Sequence, residues 1–359
     1  MNRGVIGAIL RKDLVAFSRD RFYVFITTLG LVAFVGMYWL LPSSVDETIR
    51  LGVYQADLGE AAAPLLSADT EALAVTSFES PQALVQAVED GTDGIVAGIS
   101  FPANFVATAA TGTPVVELLV PADIPPEYLP LMEGVASQVA YLATGEAPPF
   151  DWATRTVVLG PDRVGDQVSL QEQMRPLLAF FVLMMETFAL ASLVSVEVQL
   201  KTVTAVLATP ARARDFIAAK GILGTGLALG EVLLLMVLIR GFVGDVPVLV
   251  FALVLGAILV TGVGLFAGAF GRDFMGVMML SVALLIPLLI PAFGALFPGT
   301  AAAWIQVLPT YGLVEAIVGV TTRAESWADL GPTLLGLAMW CAAIFVLGTL
   351  VLRKRVEAL

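Results

Sequence analysis

The sequence predicts a polytopic α-helical membrane protein with six transmembrane helices and an inserted α/β extracytoplasmic domain. Its 359 residues are 58% hydrophobic and 14% charged, with a mean hydropathy of +0.89, whereas a soluble domain carries about 25% charged residues. Six apolar stretches reach the ~20 residues that a tilted helix needs to cross a bilayer. A long acidic stretch, residues 43–174, separates the first of them from the second.

The apolar stretches define the predicted topology. The spans are residues 22–41, 176–196, 221–239, 248–270, 276–297 and 330–352. The last five spans lie within residues 176–352. "LLPSSVDE" follows the first stretch in place of a small-x-small cleavage site, so we interpret it as an uncleaved span. With six spans, all four groups of lysine and arginine fall on one side. The positive-inside rule makes that side the cytoplasm of a prokaryotic cytoplasmic (inner) membrane and places both termini there, including the tail at 353–359.

Residues 1–21 predict a cytoplasmic amphipathic elbow helix that lies in the membrane plane before span one. Its apolar residues recur at helical spacing. They are Ile6, Ile9, Leu10, Leu14 and Phe17. The alternative is a basic flank that only sets topology.

Residues 43–174 predict an external domain in which short strands alternate with helices. The strand candidates are "IRLGVYQ" (49–55), "LAVTSF" (73–78), "GIVAGISF" (94–101), "PVVELLV" (114–120) and "TRTVVLG" (154–160). The helix candidates are "LGEAAAPLLSA", "SPQALVQAVEDG", "PANFVATAATG" and "PEYLPLMEGVASQVAYLATG". We interpret the acidic composition as a contribution to solubility, although it could also attract cations.

Residues 298–329 contain two apolar segments that are too short to span, separated by Pro309. Segments of 10–14 apolar residues are typical of re-entrant or interfacial helices, so a re-entrant hairpin on the external side is predicted. A simple hydrophobic extracellular hairpin is the alternative.

Residues 197–220, which we call the coupling segment, form a polar and basic stretch between spans two and three. We expect the second helix to continue from Glu197 to Leu207 and Pro210 to stop it, because proline lacks an amide donor and disfavours helix in the preceding residue. A further helix is predicted from about residue 213, with Arg212 and Arg214 at the tip of the elbow. The segment is longer than topology alone requires.

Four motifs in this order resemble those of the type-2 exporter permeases of ABC transporters, the sodium- and drug-exporter-like group with a large external domain after the first span. "ILRKDLVAFSRDR" is similar to the elbow helix of that family, "DGIVAGISFPANF" to a strand and turn of its external domain, and "LPTYGLVEAIVG" to the segment before its last span. The coupling segment matches the pattern of an acidic residue, a threonine, two apolar residues, Thr-Pro, and an acidic residue ahead of a lysine. "QLKT" departs from the acidic residue and glycine that are usual there.

The resemblance implies that the coupling segment contains a helix that sits in a groove of a cytoplasmic ATPase. The implied ATPase-coupling residues are Glu197, Thr202, Leu207, Thr209, Pro210, Arg212, Arg214, Asp215 and Lys220. It also implies that two chains pair, as a homodimer or a heterodimer, and that ATP and Mg²⁺ bind to the partner ATPase. Attraction of the basic tip to anionic lipid is the alternative for the arginines.

The chain has no phosphate-binding loop of its own. The four lysines, Lys12, Lys201, Lys220 and Lys354, all lie outside a G-x-x-x-x-G-K-[ST] pattern. The absence of histidine removes His-based catalysis and His metal sites, and one cysteine cannot form an intramolecular disulfide. We therefore predict no catalytic residue, cofactor or metal in this chain and no nucleic-acid partner. The expected partners are an ATPase subunit, a second permease copy, the bilayer and an unidentified exported substrate.

Glu186 and Glu231 each lie about ten residues into a predicted span, near the expected midplane. An ionised residue there costs at least ~2.5 kcal/mol and usually faces a bundle interior or polar cavity. They are candidates for a transport path or for binding a cationic substrate or coupling ion. A protonated glutamate that hydrogen-bonds between helices is the alternative.

Glycine and proline mark two further spans. Gly264 and Gly268 form a small-xxx-small pair, for which close helix packing is the favoured interpretation. Pro287 and Pro291 should kink the fifth span, either as part of a gate or as a static bend.

The predicted function is a permease subunit of an ATP-driven exporter. The alternative is a membrane-anchored receptor or scaffold whose external domain binds a ligand or envelope partner, which needs neither the long cytoplasmic elbow nor the midplane acids. An intramembrane enzyme is disfavoured because no metal or nucleophile constellation is recognisable. Sodium ions, a drug, a lipid and a peptide are all compatible substrates, and the direction of transport rests on the resemblance.

Overall fold

A computed structural model describes residues 3–43, 49–54, 73–90, 92, 95–101, 116–121, 133–134, 137, 168–270, 274–297 and 303–358. The chain divides into two compact units, and the smaller one, Asp46–Gly165, is inserted in the sequence of the larger. In chain order the elements are α1 (Arg3–Arg19), α2 (Arg21–Leu40), β1 (Ile49–Tyr54), β2 (Leu73–Phe78), α3 (Pro81–Glu89), β3 (Ile95–Ser100), β4 (Glu117–Leu119), α4 (Leu170–Gln199), α5 (Thr202–Leu207), α6 (Ala213–Leu238), α7 (Val246–Phe270), α8 (Phe274–Gly294), a 3₁₀ helix (Ala303–Val307), α9 (Tyr311–Arg323) and α10 (Trp327–Glu357).

Six helices in the described part of the chain are long and apolar enough to cross a membrane, which confirms the predicted number. They are α2, α4, α6, α7, α8 and α10. α2 is almost wholly exposed along its length and carries large apolar side chains on its outside, among them Phe25, Leu29 and Val32. Such a surface is stable only in lipid or against another protein.

α4 differs from its prediction at both ends. It begins at Leu170, so residues 170–174, which were predicted to belong to the external domain, form its first turn. This turn is polar and therefore invisible to hydropathy, but Ser169 caps it by accepting a hydrogen bond of 3.3 Å from the amide of Glu172. The expected continuation of this helix to Leu207 is wrong, because the chain turns at Lys201, whose φ of 55° is left-handed.

α7 is the central helix of the larger unit and packs against α4, α6, α8, α9 and α10. Glycines permit its closest approaches. A Cβ at Gly262 would lie 2.8 Å from the backbone nitrogen of Phe345 in α10, and one at Gly268 would lie 2.8 Å from the carbonyl oxygen of Ala191 in α4. Gly264 faces α4 in the same way, so this small-residue pair lies at a helix–helix contact.

α9 is too short to span but is not a surface helix. Its apolar side chains are buried against α7, α10 and α4, as part of the main core of the larger unit. The buried ones are Leu313, Val314, Ile317 and Val320. The described part of the preceding apolar segment is the 3₁₀ helix Ala303–Val307 and carries no buried residue.

The smaller unit contains a sheet with strand order β2–β1–β3–β4, in which β1 pairs in parallel with β2 and β3, and β4 is antiparallel to β3. Leu84, Ala87 and Val88 of α3 cover it by packing on Ile95. Four predicted strands and the helix in "SPQALVQAVEDG" are thus confirmed; β2 has the predicted bounds and the other four elements are shorter than predicted. The strand predicted at 154–160 and the helices predicted at 58–68 and 102–112 lie outside the described residues.

Candidate functional site

The coupling segment is a short helix between two turns. α4 ends at Gln199, α5 covers Thr202–Leu207, and Thr209 closes the second turn by donating a hydrogen bond of 2.6 Å to the carbonyl oxygen of Val206. Asp215 then accepts a hydrogen bond of 3.3 Å from the amide of Arg212 and so fixes the start of α6. Proline at position 210 suits this turn because it cannot continue a helix.

The structure divides the nine predicted coupling residues into two sets. The exposed residues are Thr202, Thr209, Pro210, Arg212 and Arg214, and the buried or half-buried ones are Glu197, Leu207, Asp215 and Lys220. The first set is the more accessible to a partner protein. Val203, next to the exposed Thr202, is fully buried in one apolar cluster with Val198, Phe216 and Leu352, a cluster that three of the long helices share.

Glu197 and Lys220 belong to a ring of four charges at the base of the coupling segment, which we call the ion ring. Nζ of Lys220 donates a hydrogen bond of 2.8 Å to Oδ2 of Asp13 and lies 2.6 Å from Oε2 of Glu197. Nζ of Lys12 donates a hydrogen bond of 2.5 Å to Oε1 of Glu197 and lies 2.9 Å from Oδ1 of Asp13. Each lysine therefore contacts both carboxylates, and the ring joins α1, α4 and α6.

The ion ring carries no net charge, which makes its burial tolerable. The side chain of Lys220 has no exposed surface, and its ammonium lies 5.2 Å from the ring centre of Phe216. An isolated buried ammonium costs several kcal/mol, so two carboxylate partners are needed to offset desolvation. Lys12 is 49% exposed. Burial by itself lowers the pKa of Lys12, but its hydrogen bonds to Glu197 and Asp13 outweigh burial and hold that pKa above the usual 10.5.

Glu186 and Glu231 come together in the interior of the larger unit. Oη of Tyr23, in α2, donates a hydrogen bond of 3.0 Å to Oε1 of Glu186. The Glu231 carboxyl is within hydrogen-bonding reach of Glu186, although such a bond needs a proton on one of the two groups. Oε2 of Glu186 is buried and has no donor among the described residues. Two carboxyl groups and a phenol thus form one polar cluster, the acid pair.

The ion ring and the acid pair lie on one seam between α4 and α6. Glu186 precedes Glu197 by 11 residues, and Glu231 follows Lys220 by 11 residues. Eleven residues make about three helical turns, or about 16 Å, so each helix presents both of its residues on the same face. Because consecutive spans run antiparallel, Glu197 of α4 lies beside Lys220 of α6 at one level, and Glu186 of α4 lies beside Glu231 of α6 at the other. Between the two levels the contact is apolar, since a Cβ at Gly224 of α6 would meet the side chain of Leu190 of α4. The seam therefore carries two separate polar sites, one at the coupling segment and one in the core.

The sequence matches a family model described as an ABC-2 family transporter protein, over residues 21–350. The chain belongs to the ABC-2 transporter family. The resemblance drawn from the four sequence motifs is thereby confirmed at the level of the ABC-2 family. A search of curated protein sequences finds no significant match. Membership identifies the chain as a membrane permease component of an ABC transporter and implies an ABC ATPase partner, since permeases of this family are generally not enzymes themselves.

The three prolines predicted to form a gate or kink lie at one junction of this ABC-2 permease. Pro287 and Pro291 are inside α8, and Pro309 precedes α9. Oγ1 of Thr310 donates a hydrogen bond of 2.5 Å to the carbonyl oxygen of Leu288, which ties the start of α9 to the proline-containing part of α8. At the other end of α9, Arg323 pairs with Glu315 and with Glu325. A gating role for these prolines stays a prediction.

Sequence reasoning missed three residues of this ABC-2 permease, namely Lys12, Asp13 and Tyr23. Asp13 had a readable signal, because it follows Ile6 by seven residues and Ile9 by four and shares their buried face. An acid on the apolar face of a helix indicates a buried cationic partner. By contrast, Leu14, which was placed with the apolar residues, is 52% exposed. The sequence offers no comparable signal for Tyr23.

Proposed function

We propose that this chain is the permease subunit of an ATP-driven exporter, in which two copies work with two separate ATPase subunits. The complex would lie in a prokaryotic cytoplasmic (inner) membrane, with both termini in the cytoplasm and residues 43–174 outside. ATP and Mg²⁺ would bind to the ATPase subunits. Homodimer formation is the simplest arrangement because a single chain then supplies both halves, twelve spans in all.

One observation carries this proposal: the coupling segment is exposed along one edge and anchored along the other. Its exposed edge offers hydroxyl groups, a proline and two arginines, a surface that suits a polar groove on another protein. Its buried edge, through Val203, belongs to one apolar cluster with Val198 of α4, Phe216 of α6 and Leu352 of α10. A force applied to the exposed edge would therefore act on a cluster that three long helices share.

The acid pair supplies the candidate transport path. Its carboxyl groups lie on the seam that begins at the coupling segment. A change in the packing of α4 against α6 therefore changes the surroundings of both carboxyl groups. Buried carboxyl groups without a cationic partner can accept a proton or a cationic substrate. The junction of α8 and α9 would form part of an exit gate. These steps describe alternating access driven by movement of the coupling segment.

Co-purification tests the proposal. The permease is expressed with candidate ABC ATPase subunits from the same organism and extracted in detergent, and both the bound ATPase and the rate of ATP hydrolysis are measured. We expect a stoichiometric complex that is lost in the double variant Arg212→Glu/Arg214→Glu, because the exposed basic tip then repels its binding site. Lys354→Glu/Arg355→Glu, which makes the same change of charge on the exposed part of α10, should retain the complex.

Two results would overturn the proposal. If no ATPase binds to the unmodified permease, the receptor or scaffold function becomes the better explanation of the chain. If the ATPase binds equally well to the Arg212→Glu/Arg214→Glu variant, the exposed edge of the coupling segment is not the docking surface.

A further inference from the structure

The ion ring closes the base of the coupling segment with two residues that lie far away in sequence, on α1. We propose that α1 and the coupling segment move as a single rigid unit when the ATPase acts, and that Asp13 is the positioning residue that holds them together. This inference rests on the proposed function, because it concerns how movement at the ATPase surface reaches the helix bundle. It assigns a mechanical role to a helix that sequence analysis connected only with the membrane surface.

The geometry of the ring resists relative movement of its helices. Lys220 of α6 contacts Asp13 at 2.8 Å, and Lys12 of α1 contacts Glu197 of α4 at 2.5 Å. Displacing α1 from the other two helices breaks both hydrogen bonds together. Each of the four groups would then keep only one of its two partners, which is unfavourable because Lys220 and Asp13 are buried. Sliding by one helical turn offers no substitute, because Gly224, one turn further along α6, has no side chain to offer.

An apolar contact beside the ring reinforces it. Ile6 and Ile9 of α1 are buried against Ala219 of α6, and Val206 of α5 packs into the same cluster. α1 therefore shares an apolar cluster with α5 and α6 beside the ring. The charged groups set the position of α1, since charge pairing depends steeply on distance, whereas the apolar contact alone tolerates sliding.

Spin-label distances test the inference in the assembled complex. Cys341, the one native cysteine, is replaced (Cys341→Ala), and labels are attached at Arg11→Cys on α1 and Leu200→Cys in the coupling segment, both exposed positions. Ala208→Cys, also exposed, replaces Leu200→Cys if the first label releases the ATPase. Labelled chains are diluted with unlabelled ones so that only the distance within one chain is measured. A separate sample labelled at residue 200 alone reports the distance between the two copies.

We expect the distance between the two copies to shift when the non-hydrolysed analogue AMP-PNP is added, while the distance within one chain keeps a single narrow distribution. A shift within the chain as large as the shift between copies would overturn the rigid unit. Failure of the proposed function gives a different result, because no ATPase is then bound and AMP-PNP shifts neither distance.

A charge-neutral variant separates positioning from mere stability. Asp13→Asn with Lys12→Gln removes one charge of each sign and leaves the 2.6 Å pair of Glu197 and Lys220 intact. We expect the ATPase still to co-purify, the distribution within the chain to broaden, and AMP-PNP now to shift it. The matched control is Arg353→Gln with Glu357→Gln. It likewise removes one charge of each sign, but from an exposed pair, and it should keep the narrow distance distribution within the chain. An equally narrow distribution in the Asp13→Asn/Lys12→Gln variant would show that the ring does not position α1.

Discussion

Nζ of Lys220 lies 2.6 Å from Oε2 of Glu197, although residues 198–219 separate the two in sequence. The pair closes the coupling segment into a loop whose two ends are held side by side. Asp13, which contacts Lys220 at 2.8 Å, brings α1 to the same point. Under the proposed function, movement of the docking surface would enter the helix bundle here. The fully buried lysine is therefore the residue on which the local architecture depends most.

Replacing that lysine should destabilise the permease. Lys220→Met leaves Asp13 and Glu197 buried with only Lys12 to compensate them, and breaking a buried ion pair in this way costs about 3–5 kcal/mol. We expect a lower unfolding temperature in detergent, measured as the folded protein that survives heating and size-exclusion chromatography. Lys201→Met is the matched control, because Lys201 is an exposed lysine of the same segment. Equal unfolding temperatures for the two variants would contradict the ion ring.

The contribution of Lys12 to stability should persist to alkaline pH. Its pKa in the folded protein lies above the usual 10.5, so its stabilising effect is present below that value and is lost as the pH rises through the raised pKa. The difference in unfolding temperature between the unmodified protein and Lys12→Gln should therefore be constant near neutral pH and shrink above about pH 10.5. A difference that vanished between pH 7 and pH 8 would be inconsistent with this pairing.

The acid pair should matter for transport more than for assembly. Glu186→Gln preserves size and can still accept the hydrogen bond from Tyr23, so we expect the dimer and the bound ATPase to be retained and transport to be altered. Uptake of sodium or a lipophilic cationic dye into inside-out vesicles measures transport. Tyr23→Phe removes one hydrogen bond and should cost only about 0.5–1.5 kcal/mol of stability. Unchanged transport by Glu186→Gln would assign the pair a structural role.

Close packing of α7 on α10 should make Gly262 intolerant of a methyl group. Gly262→Ala places a Cβ 2.8 Å from the backbone of Phe345, which cannot rotate away as a side chain could. Overpacking of this kind costs about 1–3 kcal/mol, so the unfolding temperature should fall. Gly230→Ala in α6 is the control, since nothing lies within 4 Å of its added Cβ. Alanine at 230 should be neutral, or stabilising by up to about 1 kcal/mol. A tolerated alanine at 262 would show that the two helices can separate without loss.

The sequence by itself determined the number of long apolar helices, the position of the coupling segment and four strands of the inserted unit. These features depend on local chemistry: hydropathy sets which segments avoid water, alternation marks strands, and Pro210 prevents a continuous helix. The same local signals underlie the sequence resemblance to ABC-2 permeases, which the family match over residues 21–350 bears out.

Only the tertiary structure decided how these segments meet. Asp13 and Lys220 are 207 residues apart, and their contact depends on how α1 lies against α6, which hydropathy does not encode. The pairing of Glu186 with Glu231 likewise depends on the register of two antiparallel helices, since a shift of one or two residues would turn either carboxyl to another face. The end of α4 near Lys201 was missed because residues 197–207 are individually compatible with helix, and the buried contact of Val203 favours a new turn there. Local propensity determines which segments are helical, and the packing of their buried polar residues determines how those helices are arranged.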